Sequence, residues 1–155
     1  MCSGVPCYAG PPRSARWYDV ARPEEKAGAR SLIFLRKREG TRTRAFRKFL
    51  AGELVPALAG TGALRELRTQ VFIPWNRRLW NTPNVAHDNP IDQQFQASLI
   101  LGFTDAHGLG AFYGSEQIAA LSGQLPKFVS AVHAYEVTEA LTYVKGGKIL
   151  PHYVT

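Results

Sequence analysis

The stretch QFQASLILGFTDAHGLGAFY, residues 94–113, decides how this 155-residue chain folds. Its first half becomes almost continuously apolar, as is typical of a strand that is buried in a sheet. Asp105 follows, and its carboxylate can accept a hydrogen bond from a free backbone N–H at the start of a helix. The apolar residues after Asp105 recur at helical spacing. The stretch therefore predicts a strand that passes directly into a helix.

The same order of strand and helix occurs upstream. There an apolar strand over Ser31–Leu35 is followed by charged residues and ends at Gly40. Thr41 or Thr43 is positioned to cap the helix that follows. Pro56, late in this helix, is expected to end or bend its last turn. Its apolar side chains fall three and four residues apart and form one face: Phe46, Phe49, Leu50, Leu54, Ala57 and Leu58.

Two more strands complete the pattern, one over residues 64–73 and a long last one over residues 132–144, after a short turn over residues 127–131. The order β, α, β, long loop, β, α, β indicates two interleaved right-handed crossovers. The chain is thus predicted to be an α+β protein, a ferredoxin-like βαββαβ domain over residues 31–155. Lys145-Gly-Gly-Lys148 predicts a C-terminal hairpin that returns along residues 149–154.

The first 30 residues carry four of the ten prolines and no periodic apolar pattern. They are predicted to form an extended N-terminal arm. In the predicted domain both helices cover one face of the sheet, which leaves the other face apolar and bare. A second copy of the chain is the simplest cover, so we expect a homodimer.

The net charge of +7 is concentrated in RKREGTRTRAFRK, residues 36–48. This cluster has no interleaved aromatic side chains placed for base stacking and matches no nucleic-acid-binding motif, so we expect no nucleic-acid partner. A positive surface favours a small anion such as a carboxylate or a phenolate.

The sequence also bears on the compartment. No apolar run approaches the ~20 residues of a membrane helix, and the N-terminus lacks a secretory signal pattern. Cys2 and Cys7 are separated by four intervening residues and have no second pair, which is typical of free thiols. We therefore expect a cytoplasmic protein with no membrane partner.

The segment ELVPALAGTGALREL, residues 53–67, together with residues 99–129, resembles the EthD-like branch of the dimeric α/β-barrel superfamily. The resemblance covers residues 31–144. Members of that superfamily include cyclases, isomerases, decarboxylases, lyases and oxygenases that use no cofactor, often on aromatic or polyketide-derived compounds. The resemblance implies a pocket between sheet and helices in each subunit. One position departs from the pattern, because Leu54 stands where the family often has a histidine.

Chemistry of this kind needs an acid or base that titrates near neutral pH and a donor for a developing oxyanion. His87, beside Asp88 in the long loop of residues 75–90, is the first candidate, and the alternative is an exposed surface histidine. Tyr113 or Asn84 would donate to the oxyanion.

Glu53 falls three and four residues after Leu50 and Phe49, at or beside the apolar helix face. Burial without a partner would raise the pKa of its carboxyl. The alternative is that Glu53 turns outward and pairs with an arginine such as Arg65.

Substrate-binding candidates are mainly aromatic. His133 and Tyr135 share one face of the last strand. They line the cavity if helices cover that face, and otherwise they belong to a dimer interface. A wall for a planar substrate is predicted from Trp75, Trp80, Phe72 and Phe112. The four histidines have no metal-ligand spacing, so we expect no metal and no cofactor.

Together these features favour a cofactor-independent cyclase, decarboxylase or other lyase or isomerase of secondary metabolism, acting on an aromatic or polyketide-type intermediate. One alternative is a cofactor-free oxygenase of a phenolic or anthrone substrate. Another is a non-catalytic accessory protein that binds a small molecule, which Leu54 favours.

Overall fold

A five-stranded antiparallel sheet with helices on one face forms the body of the protein. The computed structural model describes residues 12–22, 24–74 and 93–139, and the backbone of residues 144–145 and 148–149. In chain order the elements are β1 Pro12–Tyr18, β2 Ala29–Lys37, α1 Thr43–Phe49, a π-helical turn Leu50–Leu54, α2 Val55–Ala59, β3 Glu66–Phe72, β4 Phe95–Phe103, α3 Ala106–Tyr113, α4 Glu116–Gln124, a 3-10 turn Leu125–Lys127, β5 Val129–Val137, β6 Val144–Lys145 and β7 Lys148–Ile149.

The predicted βαββαβ order is confirmed. Four strands lie in the order β3-β4-β2-β5, with β4 and β2 in the centre, and all neighbours are antiparallel. This is the ferredoxin-like arrangement, in which each helical segment connects strands that are not adjacent in the sheet.

The segment predicted as an extended N-terminal arm carries a strand. β1 pairs with β3, from Tyr18 opposite Leu67 to Pro12 opposite Phe72, and extends the sheet to five strands. Most β1 side chains are exposed, because an edge strand is held chiefly by its backbone hydrogen bonds. Its sequence therefore shows no apolar periodicity.

The first helical segment is continuous from residue 43 to residue 59 because a π-helical turn joins α1 to α2. Pro56 is the second residue after this turn. Proline cannot donate a backbone hydrogen bond. Just before it, the π-helical turn replaces the regular i→i+4 hydrogen-bond spacing with a wider one. The predicted threonine cap is wrong, since Arg42 holds the N-cap position without a side-chain hydrogen bond.

The second helical segment begins as predicted, since the Asp105 carboxylate accepts a hydrogen bond from the Gly108 N–H at 2.8 Å. It divides after Tyr113, and Ser115 caps α4. The bounds of the last strand were predicted wrongly. β5 begins at Val129, which pairs with Lys37, and ends at Val137. Further on, β6 and β7 pair as a short hairpin, with Val144 opposite Ile149.

The core lies between the sheet and the helices. Its sheet side consists of alternate residues of β2, β3 and β4, and its helix side is dominated by Phe46, Phe49, Leu50, Leu54, Leu58 and Phe112. The remaining residues of each strand form a second face, here called the helix-free face, which no described helix covers. Within the described part of the chain, no helix has the length and apolar character to cross a membrane.

Candidate functional site

An apolar cavity of ≈ 130 Å³ lies between the sheet and the helices. Strands β2 and β4 direct alternate side chains into it, because residues two apart on a strand share a face. From the sheet side it is lined by Ile33, Leu35, Leu99, Leu101 and Val132. From the helix side it is lined by Leu54, Leu58, Phe112, Tyr113, Ile118, Leu121, Ser122 and Leu125.

One polar contact stands at this cavity. The Tyr113 hydroxyl lies 2.8 Å from Oγ of Ser31, with either group able to donate the proton. Ser31 is buried on β2, whereas Tyr113 lines the cavity and is 41% exposed. Tyr113 is therefore at the opening, where the cavity meets solvent. When Ser31 donates, the phenol proton is left to donate to an oxygen atom inside the cavity.

Leu54 is buried at 3% exposure and forms part of the cavity wall. An apolar side chain thus faces the cavity at the position where the resemblance implies a histidine. Among the described residues, Tyr113 is the only titratable side chain that lines this cavity. The lining residues include no histidine, carboxylate or amine, so they supply hydroxyl hydrogen-bond donors and none of the usual general bases.

Glu53 is exposed, so the outward alternative describes its position and the buried-carboxyl alternative is contradicted. In a regular helix it would share a face with Phe49 and Leu50. A π-helical turn contains more residues than an α-helical turn. The residues that face the core after it are therefore Leu54 and Val55. Arg65 forms its ion pair with Glu25, at 3.6 Å between Nε and Oε1.

The two predicted phenylalanines of the wall lie apart. Phe112 lines the cavity and packs against Phe103, with ring centroids 5.0 Å apart. Phe72 is buried at the end of β3 opposite Pro12, away from the residues that line the cavity.

His133 and Tyr135 lie on the helix-free face, where they are opposite Phe34 and Leu32 of β2. The His133 ring meets Phe95 edge-on at 5.1 Å, and the Tyr135 ring meets Phe34 at 6.2 Å. Both residues therefore lie away from the cavity. Of the two alternatives, they occupy the face for which a dimer interface was expected.

The remaining candidates are outside the described residues: Trp75, Trp80, Asn84, His87 and Asp88. The sequence prediction missed Ser31, although it carried a signal. Ser31 is the hydroxyl residue at the start of the otherwise apolar run Ser31–Leu35, and a polar side chain on a buried strand needs a hydrogen-bond partner.

No protein-family model matches the sequence, and no curated protein matches it either. Solved structures do resemble it. The Arabidopsis thaliana protein At3g17210 has a TM-score of 0.53 at 5% identity, over 75% of this chain and 99% of that one. An EthD family protein from Bacillus halodurans has a TM-score of 0.52 at 14% identity, over 72% and 99% of the two chains.

A dimeric ferredoxin-like protein of unknown function from Thermobifida fusca has a TM-score of 0.50 at 11% identity, over 73% of this chain and 92% of that one. At such low identities these likenesses show the fold alone. The protein has the ferredoxin-like fold, in agreement with the predicted βαββαβ architecture.

Proposed function

We propose that this protein binds a small, mostly apolar molecule carrying one oxygen atom, in the cavity between the sheet and the helices. The observation that carries the proposal is the apolar cavity with the Tyr113–Ser31 hydroxyl pair at its opening. Ligand sites of proteins combine an apolar lining with few polar groups, and those polar groups orient the ligand.

The volume limits the ligand. An engineered apolar cavity of ~150 Å³ in another protein stays dry and binds benzene. A cavity of ≈ 130 Å³ therefore suits one aromatic ring or a short branched chain. A larger aromatic or polyketide-type intermediate would have to extend past Tyr113 into solvent.

The reaction proposed at this site is that of a cofactor-independent lyase, cyclase or isomerase. Tyr113 would donate a hydrogen bond to the oxygen on which negative charge develops. His87, with Asp88 beside it in sequence, would move the proton, and Asn84 would offer a further donor. Since the described lining residues include no histidine, carboxylate or amine, the reaction depends on a base from another segment.

A second candidate is non-catalytic binding of the same kind of ligand. Leu54 favours it, because an apolar side chain occupies the wall where the resembled family often has a histidine. The two candidates share the binding site and differ in proton transfer, so one pair of experiments separates them.

Binding is tested with phenol and benzene as probes, by calorimetry on the wild type, Tyr113→Phe and Tyr135→Phe. Tyr135 is a matched control because it is a tyrosine of similar exposure, 43%, on the helix-free face. We expect Tyr113→Phe to weaken phenol binding about tenfold and to leave benzene binding unchanged. Equal losses in the two variants, or no binding of either probe, would overturn the site.

Proton transfer is tested with acetophenone, whose methyl protons exchange with D2O when a base and an oxyanion donor act together. We expect the wild type to accelerate this exchange, His87→Ala to abolish it and His133→Ala to retain it, as followed by NMR. Bound acetophenone without accelerated exchange would favour the non-catalytic candidate.

We further propose that a second copy of the chain covers the helix-free face. Tyr135 and Trp17 on this face are 43% and 70% exposed, and the similar Thermobifida fusca protein is described as dimeric. Tyr135→Glu should give a monomer in light scattering, whereas Ala134→Glu, on the other face of β5, should leave the dimer intact. A monomeric wild type would contradict this proposal.

A further inference from the structure

A second cavity, of ≈ 150 Å³, opens where β1 and β3 meet helix α1. It lies at the edge of the sheet and shares no lining residue with the apolar cavity. Arg13 and Arg16 enter it from β1, and Arg47 enters it from α1. We refer to these three residues as the arginine cluster.

The charge of this cluster is not balanced by the described residues. The ion pairs of the described part of the chain involve Arg30, Arg65 and Arg68, and none involves the arginine cluster. Within the same part, Nε of Arg47 is buried with no hydrogen-bond partner. Burial and, after it, the positive charge of Arg13 lower the pKa of Arg47. Folding thus holds the positive charges of Arg13 and Arg47 near each other. It also leaves the buried Nε–H of Arg47 without an acceptor among the described residues.

Three hydroxyl residues line the same cavity, Ser14, Tyr18 and Thr69, and two of them contact each other. The Tyr18 hydroxyl lies 3.3 Å from Oγ1 of Thr69, and Thr69 is only 5% exposed. One of the two protons can satisfy this pair, and the other remains able to donate. This cavity therefore offers several hydrogen-bond donors and a strong positive charge, whereas the lining of the apolar cavity carries no charged side chain.

We propose that the arginine cluster is a binding site for a small oxyanion, namely a phosphate or carboxylate group. A guanidinium donates two parallel hydrogen bonds to such a group, and these charge-assisted bonds are stronger than neutral ones. A bound oxyanion would partner the unused Nε of Arg47 and offset the repulsion between Arg13 and Arg47. Because two of the three arginines lie on β1, the anion also holds β1 against the body.

The proposal is tested on the whole chain with inorganic phosphate and with acetate as separate probes, at constant ionic strength set by sodium chloride. Calorimetry gives the affinity, and the thermal unfolding midpoint reports linked stabilisation. Arg47→Gln is compared with Arg44→Gln, which removes the same charge from an exposed position on the same helix. Arg13→Gln on β1 is the second variant, and it decides the test if Arg47→Gln does not fold.

We expect phosphate, acetate or both to bind and to raise the unfolding midpoint, with the stronger probe identifying the group. Arg47→Gln and Arg13→Gln should weaken binding about tenfold or more, and Arg44→Gln less than about twofold. The inference is overturned if neither probe exceeds the effect of chloride, or if Arg44→Gln weakens binding as much as the two cluster variants. Phenol binding in the apolar cavity should be unchanged in every variant, so this result is independent of the function proposed above.

Discussion

The Tyr113 hydroxyl lies 2.8 Å from Oγ of Ser31 and ties the end of α3 to β2 at the opening of the apolar cavity. A hydrogen bond between partly buried neutral groups contributes about 1 kcal/mol to stability. Tyr113→Phe and Ser31→Ala should therefore each lower the free energy of unfolding by about that amount. In the double variant the losses should not add, with a coupling of roughly 0.5–1 kcal/mol from urea unfolding. Strictly additive losses would show that the two hydroxyls do not interact.

Two glycines should respond to alanine with opposite signs. At Gly102 of β4 a Cβ atom would lie 2.6 Å from Cβ of Glu66 and 2.7 Å from Cβ of Ala27. Gly102→Ala should cost about 1–3 kcal/mol of stability, because the neighbours must move. At Gly110 of α3 a Cβ atom meets nothing within 4 Å, so Gly110→Ala should add about 0.5–1 kcal/mol. Two losses of equal size in chemical unfolding would contradict the packing around Gly102.

Asp105 caps α3 through its hydrogen bond with the Gly108 N–H. Asp105→Ala removes this acceptor and should lower the free energy of unfolding by about 1 kcal/mol. Asp105→Asn keeps a side-chain oxygen in the same place and should lower the free energy of unfolding by only about 0.3 kcal/mol. Thermal unfolding of the three proteins checks the order, and an asparagine variant as unstable as the alanine variant would contradict the cap.

Glu66 lies between two arginines. Its carboxylate contacts Nε of Arg30 at 2.8 Å and also pairs with Arg68, and its side chain is only 9% exposed. Glu66→Gln leaves the two guanidinium groups near each other without the carboxylate. It should lower the free energy of unfolding by about 1–2 kcal/mol, and by less in 1 M salt because salt screens the charges. Glu25→Gln is the control, since the Glu25–Arg65 pair is longer and more exposed and should be worth less than about 0.5 kcal/mol. Equal losses in urea unfolding would count against the central role of Glu66.

The predictions that succeeded from the sequence concern short-range features. The Asp105 cap and the start of α3 depend on residues within three positions of one another. The buried alternative for Glu53 failed because it assumed a regular helical period, and the π-helical turn changes that period. β1 was missed because an edge strand is held by its backbone and needs no apolar alternation.

The sequence by itself determined the order of strands and helices in the βαββαβ unit, since apolar periodicity, caps and turn residues act locally. It also determined that His133 and Tyr135 share a face, since a strand alternates its side chains. Only the tertiary structure decided that this is the helix-free face. It also brought Tyr113 to Ser31, 82 residues away, and β1 arginines to Arg47. Such pairings depend on how the helices and the edge strand pack against the sheet, and no local pattern carries that information.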